Sequence, residues 1–336
     1  MKTYFDIEKD VLSLVNENEN YVIVKDGKAI KQNIVEGEIE IQLVDNYDIS
    51  DICDRKHTDE ENEIITNSRF TTLVNIYKSS DLKVIRINDE KKTSSILFNV
   101  SRKVETNITY IYFNVDTNTK ALVEVICEKS SKLNYTTVQG VYQGFSEKLN
   151  IYVAGKCELN INTLALNNDV VDNSTKIYLN STNSIVKVNN SIINNTGKCQ
   201  NYNFDVYHWN QDTTSELINY AICKNSSILN INSNGIIKNG CARSNIQQKS
   251  KGIILDLNSA ISANPLLQID EFDVVANHGA SIGAIDDEDL YYLMSRGLTR
   301  EDSEQLIVTG LMNPIINEIK DEKIKQYVIN LIKEKI

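Results

Sequence analysis

Several residue types are scarce in this chain of 336 residues, which has two prolines, one tryptophan and three histidines. It contains no run of about 18 apolar residues, which excludes a membrane-spanning helix. Its opening, MKTYFDIEKD, lacks the apolar stretch of a secretory signal. We therefore expect a cytoplasmic protein with no membrane partner.

Positive charge is also scarce, since 35 lysines and arginines face 46 aspartates and glutamates and the formal net charge is −11. No basic patch is visible, so nucleic acid is not an expected partner. The P-loop pattern GxxxxGK[ST] is absent, so any ATP hydrolysis must come from another protein. No catalytic triad can be assigned, because triads are defined by geometry rather than by sequence spacing.

The six cysteines are widely scattered and form no CxxC pair. In a reducing compartment this distribution predicts free thiols, most of them buried, rather than disulfides.

A period of two dominates residues 71–275, in short runs such as ITYIYFNV, KLNIYVAG and SILNINSNG. Such alternation indicates strands that bury one face. Breaks rich in Asn, Ser, Asp and Gly recur roughly every eight to twelve residues, a spacing that also suits a sandwich or a barrel.

Three features favour a parallel β-helix. No helical segments separate the strands, tight hairpin signals are scarce, and the turns are rich in Asn and Ser. In stacked rungs, equivalent turn residues lie above one another, so their amides can hydrogen-bond along the stack. The repeat is irregular, and the pattern alone leaves the β-helix and the sandwich open.

The period changes after residue 285. Asp286 and Thr299 are good N-caps for two helices, and Gly297 between them is a helix stop. Pro314 is expected to restart a third helical stretch. We therefore divide the chain into a mixed N-terminal region (1–70), a β-helix core (71–284) and a small all-helical C-terminal region (285–336).

One long segment, NHGASIGAIDDEDLYYLMSRGLTREDSEQLIVTGLMNPI (277–315), resembles the SufB/SufD family of iron–sulfur cluster assembly proteins. The likeness extends upstream through VYHWNQDTTSE (206–216), residues 228–255 and SANPLLQIDEFDV (262–274). It is strong over 200–315 and weak before residue 150.

The resemblance implies a right-handed parallel β-helix that pairs with a second β-helix chain, either a SufB-type subunit or a copy of itself. It also implies that the helical tail docks the ABC-type ATPase SufC. The chain would then be a non-catalytic assembly subunit that handles a transient iron–sulfur cluster and holds no cofactor tightly.

His278 matches the family histidine that faces the cluster site at the subunit interface, and neutral imidazole is a good iron ligand. A structural histidine at a strand-to-helix junction is the alternative. His208 also matches a family histidine, and we interpret it as structural. His57 lies in a charged, mobile stretch and carries no signal.

The family's other ligand positions are changed in this sequence. Ser250 stands where SufB-type chains have a cysteine, Ala276 where SufD-type chains often have one, and Gly279 where SufB-type chains have a glutamate. The chain is therefore more SufD-like than SufB-like. Cys241 is the nearest thiol in sequence and a weak candidate ligand.

Candidates for contacting the ATPase are Tyr291, Tyr292, Arg296 and Leu306, on the helical tail. Two alternatives to the assembly role remain open. One is a degenerate structural homodimer without cluster chemistry, suggested by the missing cysteines. The other is a β-helix enzyme that acts on polysaccharide, which the lack of a secretion signal and of a carboxylate cluster disfavours.

Overall fold

The alternating runs form strands that stack in parallel as a β-solenoid of about seven turns. A computed structural model describes residues 10–45, 47, 49, 55–68, 70–88, 93–114, 118–140 and 143–336. The described strands are, in chain order, β1 (Tyr21–Lys25), β2 (Lys28–Asn33), β3 (Ile39–Val44), β4 (Thr71–Ile76), β5 (Ser80–Asn88), β6 (Thr93–Val100), β7 (Glu105–Asn114), β8 (Thr119–Cys127), β9 (Lys132–Gln139), β10 (Phe145–Val153), β11 (Glu158–Ala165), β12 (Val171–Leu179), β13 (Ile185–Asn194), β14 (Cys199–His208), β15 (Thr214–Cys223), β16 (Ile228–Ile237), β17 (Ser244–Ile254), β18 (Ala260–Ile269) and β19 (Val274–Ala284). The four longest described helices are α1 (Asp59–Ser68), α2 (Asp287–Ser295), α3 (Arg300–Ile316) and α4 (Glu322–Lys335).

Successive strands from β4 onward alternate between two sheets. One sheet holds the odd-numbered strands β5 to β19 together with β1 and β2, and the other holds the even-numbered strands β4 to β18 together with β3. Within the solenoid each strand pairs in parallel with the strand two further along, as Ile185 pairs with Thr214. This topology confirms the β-helix and rules out a sandwich built from hairpins.

The main core fills the space between the two sheets, where every second side chain of a strand points inward, as Leu159 and Ile161 do on β11. The outer face of the odd-numbered sheet is apolar as well, at positions such as Ile111 and Leu164. Helices α3 and α4 cover it with Val308, Met312 and other apolar residues. The helical tail is therefore packed along the β body.

Asparagine side chains hydrogen-bond to one another along the strands, whereas in the turns, where we expected such ladders, they donate to backbone carbonyls one rung away, as Asn210 does to Asn180 O at 3.3 Å. Asn134 Nδ2 donates to Asn107 Oδ1 at 2.7 Å, and Asn160 Nδ2 donates to Asn134 Oδ1 at 2.8 Å. The strand register keeps equivalent side chains directly above one another, whereas the corners vary in length from rung to rung.

Several corners between an even-numbered strand and the next odd-numbered strand hold a residue other than glycine in the left-handed region. These residues have φ between 57° and 65° and are Lys103, Ser130, Asn183, Asp212 and Arg243. The same backbone turn therefore recurs although the side chain changes.

The two ends of the solenoid differ. At the N-terminal end, β2 pairs antiparallel with β1 and β3 pairs antiparallel with β4, and α1 packs on β6 and β8. At the C-terminal end, β18 and β19 are the last strands of their sheets, and no described strand pairs with their outer edges.

The helix caps in the tail agree with the sequence analysis. Asp286 accepts the Glu288 N–H at 2.8 Å, Thr299 accepts the Asp302 N–H at 3.0 Å, and Gly297 has φ of 96°. The expectation for Pro314 was wrong, because α3 continues through it and the next helix begins only after the cap at Asp321. Proline near a helix end removes a single backbone hydrogen bond, which the last turn tolerates. Within the described residues, no helix has the length and apolarity needed to span a membrane.

Candidate functional site

The last rung of the solenoid leaves its inward-facing side chains only partly covered. On β18 these are Ile261, Ala263, Pro265 and Leu267, each half-buried although its counterpart one rung below is buried. Leu257 and Phe272, in the two corners of this rung, are fully exposed. An apolar end of this kind, with two strand edges that no described strand pairs with, has the properties of an interface.

His278 lies on β19 in this last rung and is exposed. Its register partner is Gln248 on β17, so both side chains point to the inner face of the odd-numbered sheet. The imidazole makes no hydrogen bond to any described residue, and a Cβ on the neighbouring Gly279 would meet nothing within 4 Å. Segments 216–218, 247–250 and 277–281 line a cavity of about 530 Å³ along these strands. The ring is therefore free to receive a ligand.

The replaced ligand positions surround His278 without supplying a donor for iron. Ser250 is buried on β17, where its Oγ accepts the Nδ2–H of Asn219 at 3.0 Å. Ala276 packs against the cluster of Ile237, Cys241 and Ile246. Among the residues that the structure describes, no group of three or more His, Cys, Asp or Glu side chains could hold a metal ion. This region of the chain offers one nitrogen ligand.

Cys241 lies in the corner before β17 and is buried against Ile237 and Ile246. Burial raises the pKa of its thiol, which keeps it protonated and a poor ligand. Ser244, three residues after Cys241, pairs with Val274, so Cys241 lies near the start of β19. His278 is four residues beyond Val274, which is roughly 13 Å along the strand. The fold does not present the thiol beside the imidazole.

The side chains predicted to contact the ATPase all lie at the surface. Tyr291 and Tyr292 on α2 are 77% and 57% exposed, and Leu306 on α3 is 53% exposed. The Arg296 guanidinium lies 5.3 Å from the centre of the Tyr292 ring. The tail instead packs through Leu290 and the inner faces of α3 and α4, which leaves these four side chains at the surface.

Residues 85–311 match the model of the family described as SUF system FeS cluster assembly, SufBD core domain. The chain belongs to the SufBD family. The Bacillus subtilis iron–sulfur cluster assembly protein SufD is 26% identical over 276 residues, which cover 78% of this chain and 62% of that protein. Escherichia coli SufD is 31% identical over 90 residues, or 27% of this chain and 21% of that protein.

An iron–sulfur cluster assembly SufBD family protein of Staphylococcus aureus strain USA300 is 26% identical over 214 residues, covering 60% of this chain and 44% of that protein. This SufBD chain therefore spans less than two thirds of the length of these relatives. The names agree with the SufD-like character suggested by the sequence.

The chain also contains a buried polar cluster that was not predicted from the sequence. His57 was assigned to a mobile stretch without signal, but its side chain is buried and its Nε2 lies 2.9 Å from Glu124 Oε2 on β8. The hydroxyls of Tyr47 and Tyr152 donate to the same carboxylate at 2.5 and 2.8 Å. A lone glutamate within the apolar run ALVEVIC was the available signal, because a charge in a buried strand requires partners.

A second pair of side chains, Arg55 and Glu61, lies beside this cluster. Arg55 Nη2 donates to both carboxylate oxygens of Glu61, at 2.7 and 2.8 Å, and Asn150 donates to Oε1 at 2.8 Å. Burial raises the pKa of Glu61, but these hydrogen bonds and that of the Thr58 N–H outweigh it and lower the pKa to about 2. Together the two pairs hold α1 and its preceding loop on the outer face of the even-numbered sheet.

The remaining histidine of the SufBD chain has the structural role expected for it. Both ring nitrogens of His208 are hydrogen-bonded inside the solenoid, to Thr213 Oγ1 at 2.7 Å and to Ser215 Oγ at 2.8 Å. Burial lowers its pKa to about 4, so it stays neutral. Of the described cysteines, Cys199 is half-buried and the others are buried, and Cys53 lies outside the described residues.

Proposed function

We propose that this chain is a non-catalytic subunit of the SUF machinery that handles an iron–sulfur cluster together with a second β-helix chain and an ABC-type ATPase of the SufC kind. The observation that carries the proposal is the exposed, unpartnered imidazole of His278 on the uncovered last rung, within the segment that matches the family.

Pairing through the C-terminal end of the solenoid is supported by its surface. The edges of β18 and β19 offer unpaired backbone groups, and Leu257 and Phe272 expose apolar area at both corners. A second solenoid end would satisfy the backbone groups and cover the apolar side chains.

The cluster is the cargo of such an assembly, and it needs more ligands than this chain offers. Iron–sulfur clusters are held mainly by cysteine thiolates. His278 supplies one nitrogen, and the family's cysteine positions hold Ser250 and Ala276. We therefore propose that the thiolates come from a SufB-type partner, which makes the working unit a heterodimer.

Docking of the ATPase is assigned to the exposed side of the tail. The surface formed by Tyr291, Tyr292, Arg296 and Leu306 combines two aromatic rings with a guanidinium, a composition enriched at protein interfaces. The chain has no P-loop, so the energy of ATP must reach it through such a contact.

Anaerobic reconstitution tests the cluster role. The chain is mixed with a SufB-type partner, iron and sulfide, and the cluster spectrum is compared for wild type, His278→Ala and Val275→Ala. Val275 is the matched control because it is 53% exposed on the other face of β19 and does not line the cavity. A loss confined to His278→Ala supports the proposal, and identical spectra support the degenerate homodimer instead.

Affinity capture tests the ATPase role. An immobilised SufC-type ATPase should retain wild type and Tyr77→Ala, which alters an exposed tyrosine at the other end of the solenoid. It should release Tyr291→Ala combined with Arg296→Ala. Equal retention of all three proteins would contradict the assigned docking surface.

A further inference from the structure

Gln248 is a buried side chain whose amide has no hydrogen-bond partner among the described residues. It is 6% exposed, and neither its Nε2 nor its Oε1 contacts a polar atom of a described residue. Leaving such a group buried and unpaired costs about 1–3 kcal/mol. A buried amide of this kind is expected to find a partner, which can be an ordered water, a ligand or a neighbouring side chain.

The register of the last two odd-numbered strands places this amide directly below His278. Gln248 and His278 are Cα partners in the parallel pairing of β17 and β19. Paired strands lie about 4.8 Å apart, and partners share a face of the sheet. A glutamine and a histidine at this separation can meet by rotation about their side-chain bonds.

Room for the amide is created by the opposite sheet. A Cβ on Gly235 of β16 would lie 3.0 Å from Gln248 Nε2 and 2.9 Å from Ile246 Cδ1. The absence of a side chain at this position therefore admits the Gln248 amide to the space beneath the last rung.

We propose that Gln248 is a positioning residue for His278, in which its Oε1 accepts the N–H of one ring nitrogen and so presents the other nitrogen as the iron ligand. This inference rests on the proposed function for the role of His278. A histidine that binds a metal almost always donates its other ring N–H to an acceptor, and loss of that acceptor typically weakens metal binding 10–100-fold.

Other side chains on the inner face are less well placed to accept from the His278 ring. Ser250 accepts from Asn219 and is the register partner of Ala280, and Ala276 and Ala280 flank His278 on its own strand without polar side-chain atoms. Gln248 is the acceptor in direct register with His278.

The first experiment measures the tautomer of His278 from the nitrogen chemical shifts of its ring, in a chain that has only three histidines. Wild type, Gln248→Leu, Gln248→Met, Gln248→Glu and the control Val275→Ala are compared without metal. The two apolar variants should move the tautomer ratio toward that of a free histidine, while Gln248→Glu, which keeps an acceptor, and the control should keep the wild-type ratio. An unchanged ratio in whichever apolar variant folds would overturn the inference.

The second experiment titrates Co²⁺ as an iron probe and follows broadening of the His278 ring signal. Gln248→Leu or Gln248→Met should weaken the local affinity 10–100-fold. Equal affinity in wild type and the apolar variants would overturn the positioning role. A tautomer effect without any broadening in wild type would instead reject the iron-ligand role of His278, and with it the proposed function, while leaving the hydrogen bond in place.

Discussion

Single positions inside the solenoid differ sharply in the space available to them, and two glycines make the contrast testable. Gly235 lies against Ile246 and Gln248, whereas a Cβ on Gly283 of β19 would meet nothing within 4 Å. Gly235→Ala should therefore lower the free energy of unfolding by about 1–3 kcal/mol, because the core must shift to admit a methyl group. Gly283→Ala should leave it unchanged or raise it slightly. Urea denaturation of both variants measures the difference, and equal effects would contradict the close approach.

Glu147 shows how a single buried carboxyl makes stability depend on pH. Burial raises its pKa to about 7, although the nearby Arg86 and the hydrogen bond from Gln139 favour the charged form. In an unfolded chain the pKa is about 4.3. The folded state therefore holds the proton more tightly, and this contribution to stability is fully present below about pH 4 and is lost as pH rises through about 7.

Replacement of Glu147 by glutamine should remove that dependence, because the amide resembles the protonated acid and still accepts from Gln139. Between pH 5 and pH 8 the stability of wild type should fall relative to Glu147→Gln by about 2–3 kcal/mol. Urea denaturation at the two pH values provides the comparison. Parallel behaviour of the two proteins would mean that the carboxyl is ionised at both.

At the scale of elements, the left-handed residue in the recurring corner introduces backbone strain that lowers the stability of the fold. Lys103 has φ of 62° and Ser130 has φ of 65°, whereas Lys156, at the equivalent position of the next rung, is not in this region. The left-handed conformation strains a residue that has a Cβ by roughly 1–2 kcal/mol. Glycine avoids this strain, but it loses more conformational entropy on folding, which offsets part of the gain. Lys103→Gly should therefore stabilise the protein by about 0.5–1 kcal/mol, and Lys156→Gly should destabilise it by a similar amount. Thermal unfolding of the pair decides the sign at each corner.

Helix α1 and the loop before it lie over a buried polar cluster centred on Glu124. Glu124 accepts from Tyr47 and Tyr152 and pairs with His57, so Glu124→Ala leaves three polar groups without their acceptor. We expect a loss of about 3 kcal/mol and faster hydrogen exchange in residues 59–68. Glu158→Ala is the control, since its ion pair with Lys132 is exposed on both sides. Unchanged exchange in α1 after Glu124→Ala would mean that other contacts hold the helix.

How far the sequence predicts these elements depends on how local their signals are. The strands of the solenoid and the caps at Asp286 and Thr299 follow from patterns within a few residues. The parallel pairing of β1 with β5 joins Tyr21 to Lys83, and no local pattern encodes so distant a contact. The burial of His57 depends on Glu124 in the same way: the apolar run around Glu124 signals a buried carboxyl, but nothing near His57 in the sequence indicates that it is the partner. The proposed role of Gln248 likewise follows only from the strand register, which aligns it with His278.

At the scale of the whole molecule, the two ends of the solenoid are finished differently. The strands β2 and β3 turn antiparallel at one end, so the stacking stops there. The other end presents β18, β19 and two fully exposed apolar corners, Leu257 and Phe272. A solenoid buries its core only against neighbouring rungs, so an end without a cap favours association. The difference between the ends therefore indicates where the proposed second chain would bind.

Charge placed at the open end should weaken that association. Leu257→Asp and Phe272→Asp each remove apolar area that the proposed pairing buries, worth about 1.5–3 kcal/mol per side chain, and so should raise the dissociation constant roughly 10–100-fold. Leu43→Asp is the matched control, because Leu43 is 46% exposed on β3 at the closed end. Sedimentation of the chain, alone and with a SufB-type partner, measures the constants. If both end variants associate as wild type does while Leu43→Asp dissociates, the interface lies at the closed end, and His278 is then remote from any partner's thiolates.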